Sequence, residues 1–227
     1  MMAEPGDQIE IIESAPFAEM SYILWHPDRA EALVIDPGFD SDAILSWLDR
    51  EGKSVAAILN THGHADHIAG NAALKEVFPG APLIIGRNDA RLLTDPQANL
   101  SAAFGMPLSG PPADRLVDDG ERLELAGWSV EVREIPGHIP GLVVFVLDQV
   151  ESPVVVGGDV LFAGSVGRTD LGGNGPQLLS GIRARLFPLP DATRVYPGHG
   201  PATTIGHEKR TNPFVGANAG RYGIGGG

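Results

Sequence analysis

The chain of 227 residues carries a net charge of −13, with 43% hydrophobic and 20% charged residues, a globular composition whose acidity argues against non-specific affinity for nucleic acid or anionic membranes. It contains no cysteine, so disulfides and thiolate metal sites are excluded, and any metal must be held by His and carboxylates. No apolar run reaches the roughly 20 residues that cross a bilayer, and residues 1–10 lack the basic start and apolar stretch of a secretory signal, so a cytoplasmic location and no membrane partner are expected.

Residues 9–13 and 20–25 read as short strands around a turn at Pro16, and 32–35 as another that ends in the turn-favouring Asp36-Pro37-Gly38. An amphipathic helix follows: Asp40 or Ser41 can cap it, Ala43, Ile44, Trp47 and Leu48 recur at helical spacing, and Gly52 stands where a left-handed terminating residue is common. Residues 55–59 form a buried strand leading into Asn60-Thr61-His62-Gly63-His64-Ala65-Asp66-His67. Helix is expected over 68–78, stopped by Pro79-Gly80, then a strand over 83–85, helix in two pieces over 88–104 around Asp95-Pro96, and a loop over 106–112. The second half is richer in strand, over 122–125, 128–135, 142–147 and 154–156, followed by a helix over 176–186, a strand over 194–196 and a last helix from Thr203 or Thr204 to about Thr211. The Gly-rich end offers little to bury, which sets a domain at 1–214 and a flexible tail at 215–227. Two β-rich groups, each followed by helices and without βαβα alternation, imply a layered α/β fold with two packed sheets.

Three of the seven histidines and one carboxylate fall within six positions, 62–67. In extended chain His62 and His64 share a face, whereas Asp66 and His67 fall where the chain turns into helix and project elsewhere. The first pair therefore suits one metal and the second pair another beside it, with Gly63 permitting unusual backbone angles and close approach. Two sites need more ligands. His138 in Pro136-Gly137-His138-Ile139-Pro140-Gly141, Asp159 in Gly157-Gly158-Asp159 and His199 in Tyr196-Pro197-Gly198-His199-Gly200 supply the right types, each after a strand and flanked by Gly or Pro. Singly, these histidines read as structural or surface residues and Asp159 as a turn cap; in order and together they read as one ligand set. His26 and His207 lie outside it, as an exposed turn residue and a helix-surface residue.

The ordered set His62, His64, Asp66, His67, His138, Asp159 and His199 resembles that of the metallo-β-lactamase superfamily, over roughly residues 9–214. The resemblance implies a four-layer αββα sandwich, with one metal on His62, His64 and His138, a second on Asp66, His67 and His199, and Asp159 bridging. Gly158-Asp159-Val160-Leu161-Phe162, the stretch from Gly164 to Asp170, Tyr196-Pro197-Gly198-His199-Gly200-Pro201 and the ending from Glu208 to Phe214 are similar to the compact hydroxyacylglutathione hydrolase (glyoxalase II)-like group. The β-lactamases of the commonest metal-dependent class carry a Cys where Asp159 stands. Against the family's pattern Ile139 stands where Thr or Ser is usual; against the larger glyoxalase II enzymes, Pro201 replaces a Tyr and the C-terminal helical region with basic glutathione-binding residues is not part of this sequence.

The resemblance implies two divalent ions, zinc first with iron or manganese as alternatives, and thioester hydrolysis of an anionic, acylglutathione-like small molecule by a metal-held hydroxide. Asp66 is the catalytic candidate beyond ligation, as a hydrogen-bond acceptor for the nucleophile. A thioester suits such a site because its thiolate, with a pKa of about 8.5, leaves without much help from an acid. Arg168 is the substrate-binding candidate, against a plain salt bridge to Asp170; Lys209 and Arg210 either extend a basic patch or form an exposed helix face. The alternatives are a mononuclear iron persulfide dioxygenase using His62, His138 and Asp159, and a lactonase or weak β-lactamase. Oligomeric state is not legible.

Overall fold

The inner strands of each sheet are buried on both faces, and this dictates layers on either side of two sheets. The computed structural model describes residues 8–147 and 153–219. The first sheet runs β1 (Ile9–Ser14), β2 (Glu19–Leu24), β3 (Glu31–Ile35), β4 (Ser54–Asn60), β5 (Leu83–Gly86) and β6 (Arg115–Val117) in spatial order. The second is formed by β7 (Arg122–Leu125), β8 (Trp128–Glu134), β9 (Val143–Leu147), β10 (Val154–Gly158), β13 (Arg194–Pro197) and β14 (Thr203–Thr204), ordered β14-β13-β10-β9-β8-β7. A separate hairpin pairs β11 (Leu161–Phe162) with β12 (Ser165–Val166).

Between the sheets lies one core, in which Tyr22, Leu33, Ile35 and Leu59 meet Trp128, Val132, Phe145 and Tyr196. The alternate residues of the same strands face outwards. Ile23, Val34 and Ile58 pack beneath α1 (Ser41–Arg50) and α3 (Asn71–Val77), through Ile44, Trp47, Leu48 and Leu74. Val144, Val146, Val155 and Val195 pack beneath α4 (Gly175–Gly181) and α5 (Ile205–Thr211), through Leu178 and Ile205. The result is the αββα sandwich. Burying a large aliphatic side chain is worth about 1.5–3 kcal/mol, so these faces fix strand register against a one-residue slip.

Several expectations change. The helix expected over 68–78 is two: α2 (Ala65–Ile68) starts inside the histidine cluster and α3 follows after Gly70. The backbone of Gly70 donates to the Pro37 carbonyl, and a Cβ there would meet the Gly38 carbonyl at 2.8 Å. Residues 88–104 are not two α-helices but a 3₁₀ helix, Arg87–Leu93, and a run of turns. Local side chains take the backbone groups a helix would use: Asp95 accepts from the amides of Gln97 and Ala98, and the Asn99 amide donates to the carbonyls of Leu92 and Leu108. Strands β6, β11, β12 and β14 are too short for a periodicity signal. The expected boundary after residue 214 cuts through packed chain: Val215 is buried in the outer core, and the Ala217 amide donates to the Lys209 carbonyl. The remainder of the expected tail, 220–227, lies outside the described residues.

Candidate functional site

The C-terminal ends of β4, β10 and β13 open at one edge of the sandwich, together with the connection between β8 and β9. Backbone bonds tie these ends across the two sheets: the amide of Val143 donates to Thr61 and that of Met20 to Gly198, while the Tyr22 hydroxyl donates to the Pro197 carbonyl at 2.5 Å. The seven sequence-predicted His and Asp residues are thereby brought together, although they span 138 positions from His62 to His199. Two glycines are required by close approach. A Cβ on Gly63 would strike Leu92, and one on Gly198 would strike Asp159 and the His67 ring. Gly63 is therefore needed for space, not for the unusual backbone angles expected of it, as its φ is not positive.

Six of the seven side chains form two trios, and Asp159 is the seventh. His62 Nε2 and His138 Nε2 lie 3.2 and 2.9 Å from His64 Nδ1. In the other trio Asp66 Oδ2 stands 3.4 Å from His199 Nε2 and 3.9 Å from His67 Nε2. Asp159 lies between them: one oxygen is 3.5 Å from His138 Nε2, and the other is 3.5 Å from His67 Nε2 and 3.7 Å from His199 Nε2. A tetrahedral ion about 2.0–2.1 Å from its nitrogen ligands sets them about 3.3 Å apart, the same range.

Hydrogen bonds decide which ring nitrogen each histidine presents. The Nδ1 atoms of His138 and His199 face the carbonyls of Arg168, at 2.7 Å, and Ala18, at 3.2 Å; a carbonyl only accepts, so both Nδ1 atoms carry the proton. His67 Nδ1 donates to Asp36 at 3.1 Å, and His62 Nδ1 lies 3.1 Å from the Thr61 hydroxyl, which itself donates to Asp36. Four Nε2 lone pairs are thus aimed inwards, and His64 alone presents Nδ1. The buried Nε2 of His67 and Oδ1 of Asp159 have no hydrogen-bond partner. Convergent lone pairs and orphaned buried acceptors are what a divalent cation would satisfy, so the residues fit metal ions.

The trios differ in charge state. Burial, followed by repulsion from the neighbouring rings, drives His62 well below the ordinary imidazole value and His64 to about 3, and burial also lowers His138. For His67 burial acts downwards too, but Asp66, Asp36 and Asp159 outweigh it and the net shift is well upwards; His199 is likewise raised through Asp66. Burial opposes ionisation of Asp66, yet His67 and His199 hold its carboxyl below the usual range. Two carboxylates that the sequence reading treated as ordinary chain complete the support. Asp36, assigned to a turn, binds the Thr61 amide and His67, and Glu19 lies fully buried 3.8 Å from His67 Nδ1, its pKa raised chiefly by burial. Asp36 follows β3, the strand parallel to β4, and that placement is the only signal that would have found it.

A cavity of about 310 Å³ opens onto this centre, lined by His64, Asp66, His138, Asp159 and His199 and walled by Phe17, Phe39, Phe104, Met106 and Leu171. Arg168 lines it, in a bidentate pair with Asp170 at 2.7 Å. Lys209 and Arg210 do not line it; both reach Asp191 instead, at 2.7 and 3.6 Å. Ile139 turns its side chain into the outer core. His26, expected to be exposed, is half-buried and stacks on Trp128 at 4.5 Å.

Comparison with known proteins agrees with the geometry. Residues 15–199 match the Metallo-beta-lactamase superfamily. The chain is 36% identical over 210 residues to the hydroxyacylglutathione hydrolase GloC of Haemophilus influenzae, covering 91% of this chain and 97% of that one. Its fold superposes on the crystal structure of BLEG-1 B3 metallo-beta-lactamase with a TM-score of 0.86 and 39% identity, over 91% of this chain and 99% of the other. It superposes on TTHA1623 in a di-iron-bound form with a TM-score of 0.78 and 36% identity, over 90% and 99%. With two sheets, the His/Asp trios at their edge and this match across most of its length, the chain belongs to the metallo-beta-lactamase superfamily and is a metallo-hydrolase of it.

Proposed function

We propose that the protein is a two-metal thioester hydrolase acting in the cytoplasm on acylglutathione-like substrates. The observation that carries this reading is Asp159, whose two oxygens face two separate trios. His62, His64 and His138 would hold one ion, Asp66, His67 and His199 the other, and Asp159 both. Zinc and iron both suit such ligands, and the di-iron form of TTHA1623 keeps iron in view. When bound, the ions supply Lewis acidity at the acyl oxygen and bring the pKa of a water down to about 7.

The chain's own residues do the rest. Asp36 and the Arg168 carbonyl fix the rings of His67 and His138, so the ligand nitrogens are oriented before any cation arrives. Asp66 lines the cavity and stays ionised, so it accepts a hydrogen bond from the attacking water and aligns it on the acyl carbon. The water gives one proton to solvent and its oxygen adds to that carbon, the carbon–sulfur bond breaks to leave the carboxylic acid, and the thiolate leaves without a donor because its pKa is only about 8.5. Arg168 at the rim faces the thiol half.

The 39% identity to a protein described as a B3 metallo-beta-lactamase favours one second reading, hydrolysis of a β-lactam or lactone at the same centre. The deciding experiment is metal analysis of the purified protein combined with assays on S-lactoylglutathione, a homoserine lactone and a β-lactam. Two ions per chain with thioester turnover exceeding the others supports the proposal. One iron per chain with oxygen uptake on glutathione persulfide, or faster lactam cleavage, overturns it.

A further inference from the structure

Large hydrophobic side chains that stay exposed on a soluble domain call for an explanation when they gather in one place. Among the described residues four stand out: Val77 at 54%, Phe104 at 56%, Met106 at 41% and Leu171 at 39% exposed. Three of the four, Phe104, Met106 and Leu171, rim the cavity above the His/Asp centre. Phe104 also stacks edge-on against Phe17 at 5.5 Å, and Phe17 contacts Phe39 at 5.8 Å, so the wall is a continuous aromatic surface.

This wall is built, not draped. The loop that carries Phe104 and Met106 turns on the fully buried Asn99, whose side chain bonds the Leu92 and Leu108 carbonyls and accepts from Ser101. The Asn99 carbonyl accepts from the amide of Ala65, next to His64 and Asp66, which locks the apolar wall to the reacting end of the cavity. The polar side offers little to grip an anion. Arg168 is the one Lys or Arg among the described lining residues, and its guanidinium is already engaged by both oxygens of Asp170. At about 310 Å³ the cavity lies at the small end of the roughly 300–1,000 Å³ usual for ligand sites, room for one compact group.

We propose that selectivity lies in the acyl half of the substrate: a bulky apolar acyl group, aryl or branched alkyl, packs against Phe17, Phe104 and Met106 while its thioester carbonyl reaches the centre, and the thiol carrier is recognised little. A small hydroxyacyl group would leave this wall in water. The inference rests on the thioester-hydrolase reading for its chemistry, and on the cavity alone for its apolar specificity.

The test is kcat/KM of the metal-loaded protein over one series of thioesters of a single thiol, acetyl, lactoyl, hexanoyl and phenylacetyl, repeated with the coenzyme A carrier. In parallel, calorimetry measures binding of the phenylacetyl compound with its sulfur replaced by methylene. Phenylacetyl is expected to exceed acetyl and lactoyl by about tenfold or more, the scale on which hydrophobic pockets discriminate, with little change between carriers. Phe104→Ala should collapse that ratio and weaken analogue binding, whereas Val77→Ala, exposed but outside the cavity, should leave the ratio as it is. A flat or inverted acyl preference, with thioesters still hydrolysed, overturns the inference and leaves the thioesterase reading standing. No hydrolysis of any thioester, with analogue binding that Phe104→Ala weakens, overturns that reading and supports the apolar site; absence of analogue binding overturns the inference.

Discussion

His62, His64 and His138 meet with no carboxylate among them; burial lowers the pKa of all three, reinforced at His62 and His64 by repulsion from neighbouring rings. Asp66, His67 and His199 meet around a carboxylate, with Asp36 and Glu19 behind them, and here the rings are held towards the protonated form. The same ligand type therefore faces a cation in two settings. The first trio offers three imidazoles alone, whereas the second offers two imidazoles and a carboxylate, with further carboxylates behind His67 that favour positive charge there. Chemistry that needs two ions would depend on Asp159, whose two oxygens face the two trios.

The comparison breaks most severely at that residue. Asp159→Ala is expected to reduce turnover by more than the roughly 10–100-fold typical of a supporting residue, and to lower metal content; near-normal kcat with full metal would separate the trios functionally. Asp36→Asn should act first on the second trio, because Asp36 meets His67 directly and reaches His62 only through the Thr61 hydroxyl. It weakens the acceptor that orients His67, and is expected to cost about 10–100-fold in affinity for one of the two ions, read by titration with a competing chelator.

A smaller effect sits beneath the first trio. Asp89 accepts from the amide of Gly63 at 3.2 Å and also from Gly141, and burial pushes its pKa up to about 7 against those bonds. An unfolded Asp titrates near 3.9. The folded state thus holds this proton more tightly, and the stability so gained is complete below pH of about 3.9 and is lost as pH rises through about 7. Metal-free protein should lose melting temperature relative to Asp89→Asn between about pH 5 and about pH 8, by roughly 2–4 °C per kcal/mol lost; a constant difference would show that Asp89 does not titrate there. At the far end of the scale, Lys209→Ala and Arg210→Ala should leave KM unchanged, because both side chains are spent on Asp191 outside the cavity and such exposed pairs are worth about 0–1 kcal/mol.

The site was more legible in the sequence than the fold around it. His and Asp at strand ends bordered by Gly and Pro keep their meaning without coordinates, because residue type and chain position carry the chemistry. Asp36 and Glu19 carry no such mark: their roles arise from β3 lying beside β4 with β2 on its other side, contacts between separate segments. The wall from Asn99 to Met106 was hidden for a different reason. Its composition suits a helix, and the Asp95 and Asn99 side chains, by bonding the local backbone, redirect it into turns that put Phe104 at the cavity mouth. Lys209 and Arg210 misled because basic residues near a family motif look like anion binders until Asp191 is seen beside them.

We propose that one chain holds two ions on unlike trios. Elemental analysis of wild type and His199→Ala, purified alike and dialysed free of loose metal, tests it directly. Two ions per chain in the wild type and one in His199→Ala is the predicted result; one ion per chain in both proteins would contradict the account.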